Sequence, residues 1–157
     1  MKLFHGTNRK FENIDLEKSK DKRDFGKGFY TTTIFEQAEK WAKNQLVRYG
    51  GEGSFVKEFE FQQDSSLKIK VFSEMNAEWL EFVKICRTEG GTPHDYDIIK
   101  GPVANDNTMR TIALYISGIY TINQAIEQLK FFKVNDQVSF HTEKALSCLE
   151  WKHEKEV

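Results

Sequence analysis

Proline is almost missing from this chain. Pro93 and Pro102 are the only two in 157 residues, which leaves no room for a proline-rich linker. Cysteine is as scarce. Cys86 and Cys148 lie far apart, without CxxC spacing and within apolar patterns, so neither a disulfide framework nor a zinc site is indicated, and buried free thiols in a reducing compartment are expected. No apolar run approaches the about 20 residues that span a bilayer, and the opening MKLFHGTNRK has no apolar signal core. A cytoplasmic protein without membrane contact is the expectation. A dominant charge is missing too: 23 basic against 24 acidic side chains give a formal net charge of −1, so no overall field gathers nucleic acid or an anionic membrane. Internal repeats and low-complexity segments are absent, which excludes solenoids.

Hydrophobic residues make up 39% of the chain and aromatics 13%, enough for one real core and too little length for two, so a single domain over 1–157 is expected. Lys2 to Phe4 reads as a short strand delivering His5-Gly6-Thr7 at its end. Phe11 to Lys22 reads as a surface loop. Phe29 to Thr32 continues as a strand, and Thr33 with Glu36 spells a capping box for a helix from Ile34 to Tyr49, ended by Gly50-Gly51. Alternation marks strands at Phe55 to Phe61 and Leu67 to Phe72. Ser73 can cap a helix through Met75, Trp79, Val83 and Cys86, stopped by Gly90-Gly91. A strand near Tyr96 to Ile99, a helix near Thr108 to Ser117, a helix with a Thr121/Gln124 capping box and a strand over Gln137 to Phe140 follow. Thr142 can cap a short last helix, and the charged tail after Trp151 is expected to fray.

Two stretches invite chemistry. DFGKGFYTT, Asp24 to Thr32, sets Gly26 and Gly28 around a lysine and runs into a β-branched, aromatic strand, a design that lets another group approach the backbone. Lys22, Arg23 and Lys27 put three cations beside it, suited to a phosphate-bearing ligand. His5-Gly6 places an imidazole next to open backbone, able to donate or accept hydrogen bonds to a small polar ligand. On the late strand, Gln137, Ser139 and His141 share one face and Val138 and Phe140 the other. His94, Asp95, Asp97 and Asp106 are spread over a strand and a turn without ligand spacing, so no metal is expected.

LFHGTN, DFGKGFYTTT, EQAEKWA, YDIIKGPVAND and NDQVSFHTEKAL, in this order, resemble small bacterial proteins of the DUF3990 type over most of the chain. The HGT, GKGFY and late-strand amide also resemble the His, Tyr, Glu constellation of ADP-ribosyltransferases of the diphtheria-toxin and poly-ADP-ribose-polymerase class. That second resemblance implies an α+β fold, an ADP-ribosyltransferase-like split β-sandwich of two small antiparallel sheets with flanking helices. It implies NAD as substrate, no metal, and transfer of ADP-ribose to a protein or nucleic-acid acceptor, in the manner of a bacterial toxin held in check by a small antitoxin protein. His5, Tyr30 and Gln137 are then the catalytic set. His5 would meet the adenosine ribose, the Gly6 backbone the nicotinamide carboxamide, Tyr30 the nicotinamide ring, and Trp41 its opposite face. Lys22, Arg23 and Lys27 would meet the pyrophosphate, and Thr7 and Gly28 complete the ligand-binding group. Gln137 stands where the class places glutamate, with Asp136 as the alternative should the register shift by one. Two other readings stay open: a non-catalytic ligand-binding module, and a metal-independent RNase using His5, His94 or His141.

Overall fold

A computed structural model describes residues 1–104, 106–131 and 135–157, with the side chains of residues 106 and 107 left aside. Asn105, and the side chain of Asp106 considered above as a metal ligand, therefore lie outside the described residues. In chain order the elements are β1 (Lys2–Thr7), β2 (Phe29–Thr31), α1 (Phe35–Tyr49), β3 (Phe55–Phe61), β4 (Ile69–Val71), α2 (Ala77–Glu89), β5 (Ile98–Pro102), α3 (Asp106–Ile116), α4 (Ile122–Leu129), β6 (Asp136–Phe140), α5 (Glu143–Leu146) and β7 (Leu149–Glu156). They form a mixed α+β structure with a three-stranded sheet, β1-β3-β7, and a four-stranded sheet, β2-β6-β5-β4. No helix among the described residues is long and apolar enough to cross a membrane.

Period-two alternation sets the layers. On β1, Leu3 is buried against Phe59 and Phe61 of its own sheet and Phe29, Ile98, Val138 and Phe140 of the other, so one apolar layer lies between the sheets. Phe4 turns the other way, with Val56, onto Ala38 of α1. The outer face of the four-stranded sheet packs Ile99 against Trp79, Leu80 and Val83 of α2, Ile112 of α3, and Ala125 and Leu129 of α4. The order is helix, sheet, sheet, helices. Lys57 is a buried cation in this setting, satisfied by the Phe11 carbonyl at 2.7 Å and by Glu154 at 2.9 Å, as a buried charge must be.

The two sheets touch through one backbone bridge, Phe4 to Thr32, with N–H to carbonyl distances of 2.8 and 2.9 Å. One residue further along, the His5 side chain takes over from the backbone. Its Nδ1 donates to the Tyr30 carbonyl at 2.7 Å. The strands part there, and a cleft opens.

Several local expectations are corrected. His5-Gly6-Thr7 lies within β1, since β3 pairs it through Thr7↔Phe55. The Thr33/Glu36 capping box does not form: the N-cap of α1 is Ile34, without a side-chain cap, because the Thr33 hydroxyl donates to Asp136 across the sheet. Asn76, not Ser73, caps α2, accepting from Trp79 N at 3.0 Å. The Thr121/Gln124 box on α4 does form. One pairing departs from the antiparallel expectation: β4 runs parallel to β5, the geometry that a strand, helix, strand connection through α2 permits. The tail does not fray. It forms β7 along β3, with one bulge at Glu58/Phe59.

Gly6 holds the fold at a point where no Cβ fits: a methyl there would come within 2.1 Å of the Ala38 carbonyl oxygen. The glycine is thus demanded by the close approach of α1 to β1. Gly6→Ala is expected to lower the unfolding free energy by roughly 3 kcal/mol, the upper part of the usual overpacking range, measured by urea denaturation; a wild-type midpoint would show that α1 slides away freely.

Candidate functional site

The cleft has a volume of about 820 Å³ and lies where β1 and β2 diverge, covered on one side by α1. That volume falls within the range of small-molecule sites. His5, Gly6, Thr7, Arg23, Gly28, Tyr30, Trp41 and Gln137 all line it. Residues separated by more than a hundred positions are thus brought to one wall. Lys27 is not among the lining residues; its N–H donates to the carbonyl of Gly91, just after α2, at 2.8 Å.

His5 stacks on Phe29, with ring centres 4.2 Å apart. Burial pulls its pKa down to about 4, against the stabilising bond to the Tyr30 carbonyl and with Arg23 and Lys57 adding to the fall. The ring is therefore neutral at physiological pH, protonated on Nδ1, with Nε2 an acceptor suited to a hydroxyl donor.

Tyr30 is held at its polar end. Its hydroxyl accepts from Phe25 N at 3.0 Å and donates to the Gly26 carbonyl at 2.5 Å. Burial lifts the phenol far above its usual range, with Arg23 opposing. Both hydrogen-bonding roles of that oxygen are filled by the loop, so the face of the ring is what Tyr30 can offer. The Arg23 guanidinium already uses that face, 4.3 Å from the Tyr30 ring centre and 5.2 Å from that of Trp41. Arg23, expected at a pyrophosphate, sits against both aromatic rings. Trp41 is 41% exposed.

Gln137 is buried and donates through Nε2 to the Pro102 carbonyl at 3.1 Å and to Asp24 Oδ2 at 3.3 Å. Asp136 does not line the cleft. Its carboxylate accepts from the Thr32 hydroxyl at 2.6 Å and from Thr33 N at 3.1 Å, and the register Gly101↔Gln137 fixes which of the neighbours turns inward.

Of the cations on this cleft, the sequence reading gave a role to Arg23 alone. Arg9, Lys10, Lys18, Lys20 and Arg23 line the cleft against a single carboxylate, Asp15. Lys20 is held below its ordinary range by burial and by Arg23, Arg48 and Arg9. In a chain of near-zero net charge this is a local positive field, suited to an anionic ligand. The cations are scattered between positions 9 and 23 with acids interleaved, so no run of charge announced them.

His94 and His141 stand behind the loop and not in the cleft. His94 Nε2 donates to the Phe25 carbonyl at 2.8 Å, and His141 Nδ1 to the Lys27 carbonyl at 2.8 Å. Ser139 lies 2.7 Å from His141 Nε2 and is fully buried, out of reach of any substrate. Gly28 is required here: a Cβ would meet the His141 ring at 2.6 Å. Asp95 is paired with Lys68, and Asp97 accepts from Lys68 N and Thr142. Among the described residues no cluster of three or more His, Cys, Asp or Glu is arranged to hold a metal ion.

Burial lowers His141 to about 4, as it lowers His5. A histidine whose folded pKa lies below its unfolded value of 6.5 contributes stability above pH 6.5, lost as pH falls toward 4, because the unfolded chain takes up the proton first. Urea unfolding free energy is expected to fall between pH 7 and pH 4.5 by up to roughly 3 kcal/mol per histidine. His141→Gln should flatten that slope, and an unchanged slope would show that His141 titrates normally.

No curated protein and no solved structure matches the chain. Residues 1–151 match DUF3990, a family described as proteins of unknown function, and the chain belongs to that family.

Proposed function

We propose that this protein binds NAD in the cleft and transfers its ADP-ribose to a macromolecular acceptor. The observation that carries the reading is a planar cation, the Arg23 guanidinium, lying against Tyr30 and Trp41 in a cleft shared with His5 and Gln137. Aromatic faces that hold a guanidinium also suit the cationic nicotinamide ring. The cations of the wall suit the pyrophosphate. The neutral His5 Nε2 suits a ribose hydroxyl, and Gln137 can orient the hydroxyls of the ribose whose bond to nicotinamide breaks.

In the reaction the ribose C1′ to nicotinamide nitrogen bond breaks and its electron pair leaves with neutral nicotinamide. A nucleophile of the acceptor forms the new bond at C1′ and gives up one proton. Positive charge grows on the ribose as the bond lengthens, so an oriented carbonyl oxygen beside it lowers the barrier. The proposed role is that of a toxin-type effector, restrained by a small partner protein in a reducing compartment.

A non-catalytic binding module remains the second reading, favoured by the uncharged amide at Gln137. The RNase alternative has less support. His94 and His141 are committed to loop carbonyls, and burial keeps His5 and His141 neutral where an acid and base pair needs one imidazole charged.

Purified protein mixed with NAD and cell extract is expected to release nicotinamide and label a macromolecule with ADP-ribose. Tyr30→Ala and Trp41→Ala should weaken NAD binding by about tenfold, and Gln137→Ala should slow release by about a hundredfold with a smaller change in binding. NAD binding without release supports the binding module; neither binding nor release rejects both readings.

A further inference from the structure

Asp24 is a buried carboxylate, 4% exposed, at the head of the glycine loop, and its coordination is complete. Oδ1 accepts from Arg87, through Nε at 2.8 Å and through a terminal guanidinium nitrogen. Oδ2 accepts from Ala104 N at 2.9 Å and from Gln137 Nε2 at 3.3 Å. The other partner of that amide nitrogen, the Pro102 carbonyl at 3.1 Å, is an acceptor as well. Two acceptors fix the orientation of the amide: nitrogen toward Asp24, with the carbonyl oxygen left as the end that can serve a ligand.

We propose that Asp24 is the positioning residue for Gln137, and that it is the reason an amide suits position 137. The site's negative charge stands one side chain back from the cleft. A carboxylate on the N–H of an amide polarises it, making its carbonyl oxygen a stronger acceptor. Gln137 thus carries part of the effect of a carboxylate while remaining neutral. Arg87 engages only Oδ1, so an ion pair alone does not account for the placement of Oδ2. A glutamate at 137 would bring a second carboxylate against Asp24 Oδ2 and the Pro102 carbonyl with no proton to share, an unfavourable contact between like charges. The catalytic part of this inference rests on the ADP-ribosyl transfer reading; the coupling between positions 24 and 137 does not.

The test compares wild type, Asp24→Asn, Gln137→Glu and the double variant Asp24→Asn with Gln137→Glu, by urea denaturation and by steady-state nicotinamide release. Gln137→Glu is expected to lower both the denaturation midpoint and kcat. Asp24→Asn should lower kcat by about tenfold or more while KM for NAD stays within about threefold, the split expected of an interaction made in the transition state. The double variant, with the carboxylate moved to 137 and the amide to 24, should have a midpoint above that of Gln137→Glu, short of wild type because Arg87 loses its carboxylate, and return kcat to within about threefold of wild type. A Gln137→Glu protein as stable as wild type, an unchanged kcat in Asp24→Asn, or a double variant no better than Gln137→Glu would overturn the role of Asp24. A wild type that releases no nicotinamide overturns the transfer reading instead. The denaturation series then decides the coupling alone: a midpoint above that of Gln137→Glu in the double variant supports it, and no rise overturns it.

Discussion

Three consecutive carbonyls of the glycine loop are each gripped by a side chain from elsewhere: Phe25 by His94, Gly26 by the Tyr30 hydroxyl and Lys27 by His141. A loop with Gly26 at φ +88° has many conformations open to it, and these bonds select one. The rest of the site depends on that selection. It sets the tilt of the Tyr30 ring, because the hydroxyl that fixes the ring is bonded to the loop itself. It also sets the place of Asp24 beside Gln137, since Phe25 next to it is locked in the helical core. Burial holds the pKa of both histidines below its ordinary value, while the carbonyl bonds pull the other way.

The cleft arises from the way two sheets share a single bridge. Beyond Phe4 and Thr32 the β1 and β2 backbones stop pairing, and their remaining polar groups need other partners. His5 supplies one for the Tyr30 carbonyl. Gly6 lets α1 settle directly on β1, which brings Trp41 on that helix to the cleft wall. Packing and site are therefore the same contacts seen from two sides, and a larger residue at position 6 would move Trp41 as well as the helix.

Much of the fold was legible wherever the signal was local. The alternation of Phe55, Phe59 and Phe61 gave β3, and the Thr121/Gln124 pair gave the cap of α4. What failed depended on distant partners. Thr33 looked like a cap and became a donor to Asp136, more than a hundred residues away. The stretch from Trp151 onward is mostly charged and looked like a free tail, yet it belongs to β7, because the backbone of β3 needed an edge partner and charges on a sheet edge cost little. In the site, His5, Gly6, Tyr30, Trp41 and Gln137 were named from motifs, and they do converge on one cleft. The contact of Arg23 with two aromatic faces was not legible, because those faces come from β2 and α1. Asp24 was quoted within the motif and left without a task, because its partners Arg87 and Gln137 are 63 and 113 positions away.

The guanidinium against Tyr30 and Trp41 makes occupancy of that slot an exchange. Anything that enters must first displace Arg23, and the displaced cation loses its contact with two rings. Only an incoming group that is itself flat and positively charged returns an interaction of the same kind. A neutral ring of the same shape would have to displace the arginine without restoring what was lost. The two aromatic faces are thereby suited to a flat cation over a neutral ring of the same shape.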